Sequence, residues 1–141
     1  MKSKLQNAKL VIIGSISSEW VNEIETLMQQ DSRVMFLGWK NSGELQEYLC
    51  AADLYCQPGS ESATMENAVC CRCPVLVKKG SSYSYEEDYG NLIWIDSEDD
   101  IVEVLNDIED TRINLVEMSE KSLLCASTIL DYKVLANKYC K

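Results

Sequence analysis

The feature that most constrains the fold is a regular alternation of short apolar runs with longer amphipathic segments. Runs at residues 9–14 and 34–38 both end in glycine, and three further runs lie at 53–56, 74–77 and 91–95. After four of these runs a helix is predicted, in which apolar residues recur three or four positions apart, as on one face of a helix. Strands with little polar alternation, separated by helices, are typical of a parallel sheet covered on both faces.

The predicted helices have recognisable starts. Ser15 to Ser18 offer N-caps to a helix from about Glu19 to Gln30, and Ser97 opens another, with Asp100 three residues on as in a capping box. Further helices are predicted at about 44–49 and 62–71, and from roughly 114 to 139 with an interruption near Thr128. The sequence therefore predicts one Rossmann-like three-layer α/β/α domain over residues 1–141, with a mainly parallel sheet.

Composition excludes several classes of partner. The chain has 13 basic and 23 acidic residues, a net charge of −10, which disfavours binding to nucleic acid or an anionic membrane surface. The eleven acids and no bases between Glu86 and Asp110 indicate a solvated acidic face. No apolar run is long enough for a membrane span, and Met1 to Asn7 lacks a signal-peptide core. We therefore expect a cytoplasmic protein without a membrane span.

The chain contains no histidine, which removes the common nucleophile–histidine systems and histidine metal sites. Its seven cysteines are odd in number and several lie in apolar patterns, so we interpret them as reduced. Cys70 and Cys73 have the CxxC spacing, but they lie where a predicted helix ends and its dipole disfavours a thiolate. Packing is the favoured role, with redox chemistry or zinc binding as alternatives, and we expect no metal.

Parallel sheets of this kind bind ligands at the carboxyl ends of their strands, here the loops after Ile13, Leu37, Cys56 and Val77. The strongest candidate is the small-residue loop of residues 57–68, which leads into a helix N-terminus where unpaired amides favour an anion. Its hydroxyl groups could donate to a phosphate; they belong to Ser60, Ser62 and Thr64. The alternative interpretation of residues 57–68 is an ordinary capped turn before a helix.

Two further features adjoin these loops. Lys78 and Lys79 follow the fourth strand and either neutralise a phosphate or are simply solvated. The three tryptophans are interpreted as packing residues, although Trp39, just beyond Gly38, could flank a nucleotide base.

Several segments together resemble the C-terminal domain of group 1 glycosyltransferases of the GT-B fold. They are Phe36-Leu37-Gly38, the run Leu45 to Asp53 ending in Ala-Ala-Asp, Pro58, and Asn67 to Val75, which ends in Cys-Pro-Val. The family has matching elements in the same order, including a helix reading Glu-Ala-Met-Ala-Cys-Gly-x-Pro-Val. The resemblance extends over roughly residues 10–108.

This resemblance implies binding of a UDP- or GDP-sugar, with no cofactor. The diphosphate would lie over backbone amides of Gly59, Ser60, Glu61, Ser62, Ala63 and Thr64, and Glu66 or Glu61 would contact the ribose or sugar. Gly14 and Gly38 would let the nucleotide approach the backbone. The family's pair of acids would fall at Gly59 and Asn67, which are not carboxylates here, and Arg72 stands where glycine is usual.

The family domain normally begins with another strand and helix, which carry a basic phosphate-binding residue, and follows an N-terminal acceptor-binding domain. The sequence is therefore expected to be a C-terminal part of a two-domain GT-B enzyme that transfers sugar to a glycan or lipid-linked acceptor in polysaccharide biosynthesis. No residue is assigned a catalytic role. One alternative is a non-catalytic Rossmann-like binding or assembly module. A phosphoacceptor receiver domain is disfavoured, because the first strand ends in Gly14-Ser15 rather than in acids.

Overall fold

In the computed structural model of the chain, the described residues are Leu5 and residues 7–59, 62–80 and 89–139. Over this part, strands and helices follow one another in the predicted order. The strands are β1 (Leu10–Ile12), β2 (Val34–Phe36), β3 (Tyr55–Gln57), β4 (Val75–Lys78) and β5 (Leu92–Ile95). The helices are α1 (Val21–Gln30), α2 (Ser42–Ala51), α3 (Thr64–Cys70), α4 (Glu98–Glu109), α5 (Leu115–Cys125) and α6 (Tyr132–Tyr139).

All strand pairs are parallel, which confirms the predicted α/β class. β1 pairs with β2, and Leu10 lies opposite Val34. β4 lies between β3 and β5, with Val75 opposite Tyr55 on one side and Leu92 on the other. Among the described residues these pairings form two separate sheets, β1-β2 and β3-β4-β5, rather than the single sheet that was predicted. No hydrogen-bonded ladder joins β1 to β3 in this part of the chain.

The core lies around β4, whose three valine and leucine residues are at most 1% exposed. Val75 and Val77 pack with Met65 and Val69 of α3 on one face, whereas Leu76 packs with Ile95 and Val104 on the other. β4 is therefore buried on both faces, as its uninterrupted apolar sequence predicts. This packing fixes α3 against the sheet formed by β3, β4 and β5.

Helix starts agree only in part with the sequence predictions. Ser97 and Asp100 form the predicted capping box of α4, with Asp100 Oδ2 accepting from the Ser97 amide at 3.0 Å. The serine caps predicted for α1 are wrong, because Trp20 is its N-cap residue and makes no side-chain cap. The Ser17 hydroxyl donates to Glu19 instead. No helix of the described part is long and apolar enough to cross a membrane.

The end of the chain contains the predicted interruption. Residues Ala126–Leu130, around Thr128, form a π-helical turn between α5 and α6. The Thr128 hydroxyl donates to the Leu124 carbonyl at 2.7 Å, and the Ser127 hydroxyl donates to the same oxygen at 3.0 Å. Hydroxyls that compete for a helical carbonyl in this way commonly disturb a regular helix.

Arg72 ends α3 in a backbone conformation that glycine normally supplies. Its φ is +66°. The Cys73 amide donates to the Ala68 carbonyl and the Arg72 amide to the Val69 carbonyl, each at 2.9 Å, which is the hydrogen-bond pattern of a Schellman motif. The residue at this position must adopt a left-handed backbone conformation, which explains why glycine is usual here in the family that the sequence resembles.

We expect Arg72→Gly to raise the free energy of unfolding by about 1 kcal/mol, because it removes the Cβ strain of a left-handed residue. Urea unfolding of the wild type and the variant measures the change. Arg72→Ala is the matched control, because it removes the side chain and keeps the strained Cβ, and it should leave stability nearly unchanged. A glycine variant no more stable than the alanine variant would contradict the prediction.

Candidate functional site

The loops that follow β1 and β2 are joined by their glycines. The Gly14 amide donates to the Gly38 carbonyl at 3.0 Å, directly beyond the paired strands. Both residues have positive φ, +138° and +66°, and a Cβ built on either would meet no atom within 4 Å. The structure therefore brings together two residues predicted for the nucleotide site, with open space on the side where a side chain would lie.

The loop after β3 leads through exposed Pro58 and Gly59 towards α3. Ser60 and Glu61, both predicted for the site, lie outside the described residues. Beyond them, the Ser62 hydroxyl accepts from the Thr64 amide at 3.1 Å, and the Ser62 carbonyl accepts from the Met65 amide at 3.0 Å. Ser62 therefore takes part in the capped turn that was the local alternative, and two amides at the helix start already have internal partners.

Helix α3 has a buried face and a polar face. Met65, Ala68 and Val69 are fully buried, whereas Glu66 and Asn67 are exposed. This follows from the helical period, which places residues three and four apart on the same side. Glu66 lies in the first turn, where the helix dipole favours a negative charge or a bound anion.

Lys78, which is the last residue of β4, and Lys79, which follows it, are both exposed, as the solvated alternative predicts. Lys79 nevertheless has a partner that the sequence did not indicate. Lys79 Nζ lies 2.8 Å from Asp96 Oδ2, just beyond β5. The hydrogen bond to Asp96 raises the pKa of Lys79. The adjacent strands β4 and β5 bring the two residues together, so the parallel pairing rather than any local motif creates this ion pair.

The tryptophans differ in their surroundings. Trp94 packs against the core cluster, as predicted, but Trp20 and Trp39 are exposed, so the packing interpretation is wrong for these two. Trp39 is 78% exposed and follows Gly38 directly. A large apolar ring exposed beside an open glycine loop is available for contact with a planar ligand group.

No disulfide joins the described cysteines to one another, and Cys73 and Cys125 are buried. Burial raises the pKa of the Cys73 thiol to about 12. The pKa of the Cys71 thiol is raised to about 11, mainly by burial and to a smaller extent by a hydrogen bond with Cys50. These shifts oppose thiolate chemistry at neutral pH. Cys70 is exposed, so packing accounts for only one end of the CxxC segment. Within the described residues, no group of three or more acidic or cysteine side chains could hold a metal ion.

Comparison with known proteins identifies the family. The model of the glycosyl transferases group 1 family matches residues 1–123, and the chain belongs to this family. No curated protein matches the sequence.

Solved structures share its fold at low sequence identity. Anabaena Alr3699/HepE in complex with UDP superposes with a TM-score of 0.73 at 19% identity, covering 94% of this chain and 40% of that one. The same protein in complex with UDP-glucose superposes with a TM-score of 0.65 at 16% identity, covering 94% of this chain and 41% of that one. WaaG, a glycosyltransferase involved in lipopolysaccharide biosynthesis, superposes with a TM-score of 0.71 at 21% identity, covering 94% of this chain and 37% of that one. The chain therefore spans about two fifths of the length of these structures, and its fold is the Rossmann-like fold of GT-B glycosyltransferases.

Proposed function

We propose that this chain is the donor-binding domain of a two-domain GT-B glycosyltransferase. It would hold a UDP- or GDP-sugar for transfer to a glycan or lipid-linked acceptor in polysaccharide biosynthesis. Family membership supports the reaction class. The UDP and UDP-glucose held by the structurally similar HepE support a uridine nucleotide as the first donor to test. The cytoplasmic location expected from the sequence stays a prediction.

One observation carries the assignment to these loops: the Gly14–Gly38 hydrogen bond beyond β1 and β2, with open space at both glycines. A nucleotide can approach backbone only where no side chain intervenes, and positive-φ glycines give that access. We place the nucleoside against these glycines, with Trp39 beside the base. The diphosphate would lie over Gly59 to Thr64, and Glu66 would accept from a ribose or sugar hydroxyl.

The proposed chemical role of this domain is to stabilise a leaving group. When the bond between the anomeric carbon and the phosphate oxygen breaks, negative charge grows on the departing nucleoside diphosphate. Fixed backbone amides and the positive end of a helix dipole stabilise such charge with little reorganisation. The Thr64 and Met65 amides are bonded within the turn, so the loop amides that precede them and the loop hydroxyls would do so here without a metal ion.

Transfer also requires an acceptor held in line and protected from water, since positioning both reactants lowers the barrier substantially. The described residues supply one wall of such a cleft, and none is assigned as a catalytic base. An acceptor-binding domain would supply the other wall. We therefore expect the 141-residue chain alone to bind donor nucleotide and to transfer no sugar.

A non-catalytic nucleotide-binding or assembly module is the second candidate, and Asn67 is the observation that favours it. This side chain is exposed on α3, where the resembling family has a carboxylate. An amide oxygen accepts a weaker hydrogen bond from a ribose hydroxyl than a carboxylate does.

Calorimetric titration tests both candidates. If the site holds a diphosphate, UDP should bind at least about tenfold more tightly than uridine, a difference of about 1.4 kcal/mol. Excess EDTA should not change this ratio. Asn67→Glu should tighten UDP several-fold, whereas Asn67→Gln, which keeps the amide, should not. Equal affinities for UDP and uridine would contradict the donor site, and a tight UDP complex unaffected by Asn67→Glu would favour the binding module.

A further inference from the structure

Cysteine thiols meet where helices α2 and α3 end. Cys50 lies in the last turn of α2, and Cys71 is the C-cap residue of α3. The two helices pack against each other, and the thiols of Cys50 and Cys71 share a hydrogen bond. Cys73 follows two residues later, and its thiol donates to the Ala52 carbonyl at 3.5 Å. Sulfur contacts therefore join the two helix ends, outside the loops that we assign to the nucleotide.

Packing and backbone hydrogen bonds hold both thiols in place. The Cys71 amide donates to the carbonyls of Asn67 and Ala68, each at 3.0 Å, and its side chain packs against the core cluster of α3 and β4. On the other helix, Leu49 is 5% exposed and belongs to the same cluster, which fixes the turn that carries Cys50. The contact between the two thiols is therefore a property of the packed fold rather than of a loose loop.

The two thiols differ in their access to solvent. Cys50 is exposed, whereas Cys71 is half-buried. Burial is the main reason why the pKa of Cys71 is raised to about 11, so this thiol keeps its proton at neutral pH. Redox-sensing cysteines are commonly exposed and lie beside a second, resolving cysteine. Cys50 is therefore the thiol that an oxidant in solution meets first, and Cys71 lies beside it.

Other pairings of the nearby cysteines are less favourable. Cys70 and Cys71 are neighbours in sequence, so their Cα atoms lie about 3.8 Å apart, closer than the range of about 4.4–6.8 Å usual in disulfides. Cys73 is 1% exposed, which closes it to an oxidant in solution. Cys70 is exposed, but the hydrogen bond singles out Cys71 as the partner of Cys50.

We propose that Cys50 and Cys71 form an oxidation site, which we call the thiol pair, and that a hydroperoxide such as hydrogen peroxide converts it to a disulfide. The Cys50 thiolate sulfur attacks a peroxide oxygen, the O–O bond breaks, and the released hydroxide takes up a proton to give water. The Cys71 sulfur then attacks the sulfur of the Cys50 sulfenic acid. The S–O bond breaks, and the departing hydroxide leaves with the Cys71 proton as a second water. The thiol pair is oxidised and the peroxide is reduced.

The disulfide cross-links the carboxyl ends of α2 and α3. It closes the loop of residues 50–71, which contains β3 and most of α3. Such a cross-link stabilises a fold chiefly by restricting the unfolded chain. Thiol reductants reopen it by exchange, so the thiol pair responds reversibly to oxidant.

Peptide mapping of the oxidised chain tests the proposal. The reduced, folded chain is treated with hydrogen peroxide, its remaining thiols are blocked with N-ethylmaleimide, and it is digested without reductant after glutamate, before aspartate and after arginine. These cuts separate Cys50 from Cys56, and Cys71 from Cys73. The main cross-linked product should join the Cys50 peptide to the peptide that carries Cys70 and Cys71.

The same treatment in urea provides the comparison with an unfolded chain. Cysteines close in sequence, such as Cys50 and Cys56, should then be the favoured pairs, because short loops close at the lowest entropic cost. If the folded chain gave the same cross-links as the unfolded chain, the thiol pair would be wrong.

Single variants identify the partner of Cys50. Cys50→Ser and Cys71→Ser should each lower the yield of the cross-linked product at least about tenfold, because the disulfide needs both sulfurs. Cys70→Ser is the matched control and should leave the yield unchanged. Cys50 and Cys70 are both exposed, so neither substitution should disturb the core. Loss of the cross-link in Cys70→Ser, with retention in Cys71→Ser, would overturn the proposal.

Urea unfolding measures the effect of the cross-link on the fold. Oxidation should raise the urea midpoint of the wild type by about 1 M or more, because the closed loop restricts the unfolded chain, and dithiothreitol should reverse the rise. Cys50→Ser, treated with peroxide in the same way, should show no rise. A cross-linked wild type with an unchanged or lower midpoint would contradict the contact between the two helix ends on which the thiol pair depends.

Discussion

Replacing Met65 with alanine is expected to lower the free energy of unfolding by about 2 to 5 kcal/mol, the range for truncating a fully buried aliphatic side chain. Met65 is 0% exposed and belongs to the cluster that joins α3 to β4. The loss is the transfer free energy of the removed atoms plus the cost of the cavity they leave. It is a large share of the stability of a domain of this size.

Urea unfolding measures this change, and Asn67→Ala is the matched control. Asn67 lies two residues along the same helix but is exposed, so its truncation should change stability by no more than about 0.5 kcal/mol. If Met65→Ala cost as little as Asn67→Ala, α3 would not be fixed on the sheet by this side chain. The position of Glu66 and Thr64 at the candidate site would then lack its structural basis.

Replacing Gly38 with valine is expected to weaken UDP binding at least about tenfold, which is about 1.4 kcal/mol. Gly38 has φ +66°, a conformation that costs an L-residue about 1–2 kcal/mol and a β-branched residue more. The side chain would also occupy the open space beside the Gly14–Gly38 bond, where we place the nucleotide. The variant should therefore lose both stability and affinity.

Calorimetry with UDP, together with an unfolding curve for each protein, separates the two effects. Gly43→Ala is the control, because Gly43 lies inside α2, where alanine is the better helix former, and its Cβ would only touch the Asn41 side chain at 3.4 Å. It should leave UDP affinity unchanged. A folded Gly38→Val protein with wild-type affinity would remove Gly38 from the nucleotide site.

Local patterns in the sequence were sufficient to predict the order of strands and helices and several of their ends. The Ser97–Asp100 capping box and the break near Thr128 arise from hydrogen bonds between residues close in sequence, which a local pattern can indicate. The predicted caps of α1 were wrong because three serines precede the helix, and sequence cannot decide which partner each hydroxyl takes. Ser17 bonds to Glu19 rather than to the helix.

Features created by distant contacts could not be predicted in this way. The Lys79–Asp96 ion pair depends on the pairing of β4 with β5, and the Gly14–Gly38 bond on that of β1 with β2. The exposure of Trp20 depends on what covers α1, which the described residues do not supply. The separation of the described strands into two sheets likewise depends on which strands pair, since β1 is as apolar as an interior strand.

The most direct test of the donor site is an NMR titration of the isotope-labelled chain with UDP. We predict that the largest amide shift changes fall at the carboxyl ends of β1, β2 and β3, at Gly14, Gly38, Gly59 and the first residues of α3. Amides at the amino ends of the strands, such as Arg33 and Asn91, should move little. Largest changes at Arg33 and Asn91, or no change at millimolar UDP, would contradict the assignment of this chain as a nucleotide-sugar-binding domain.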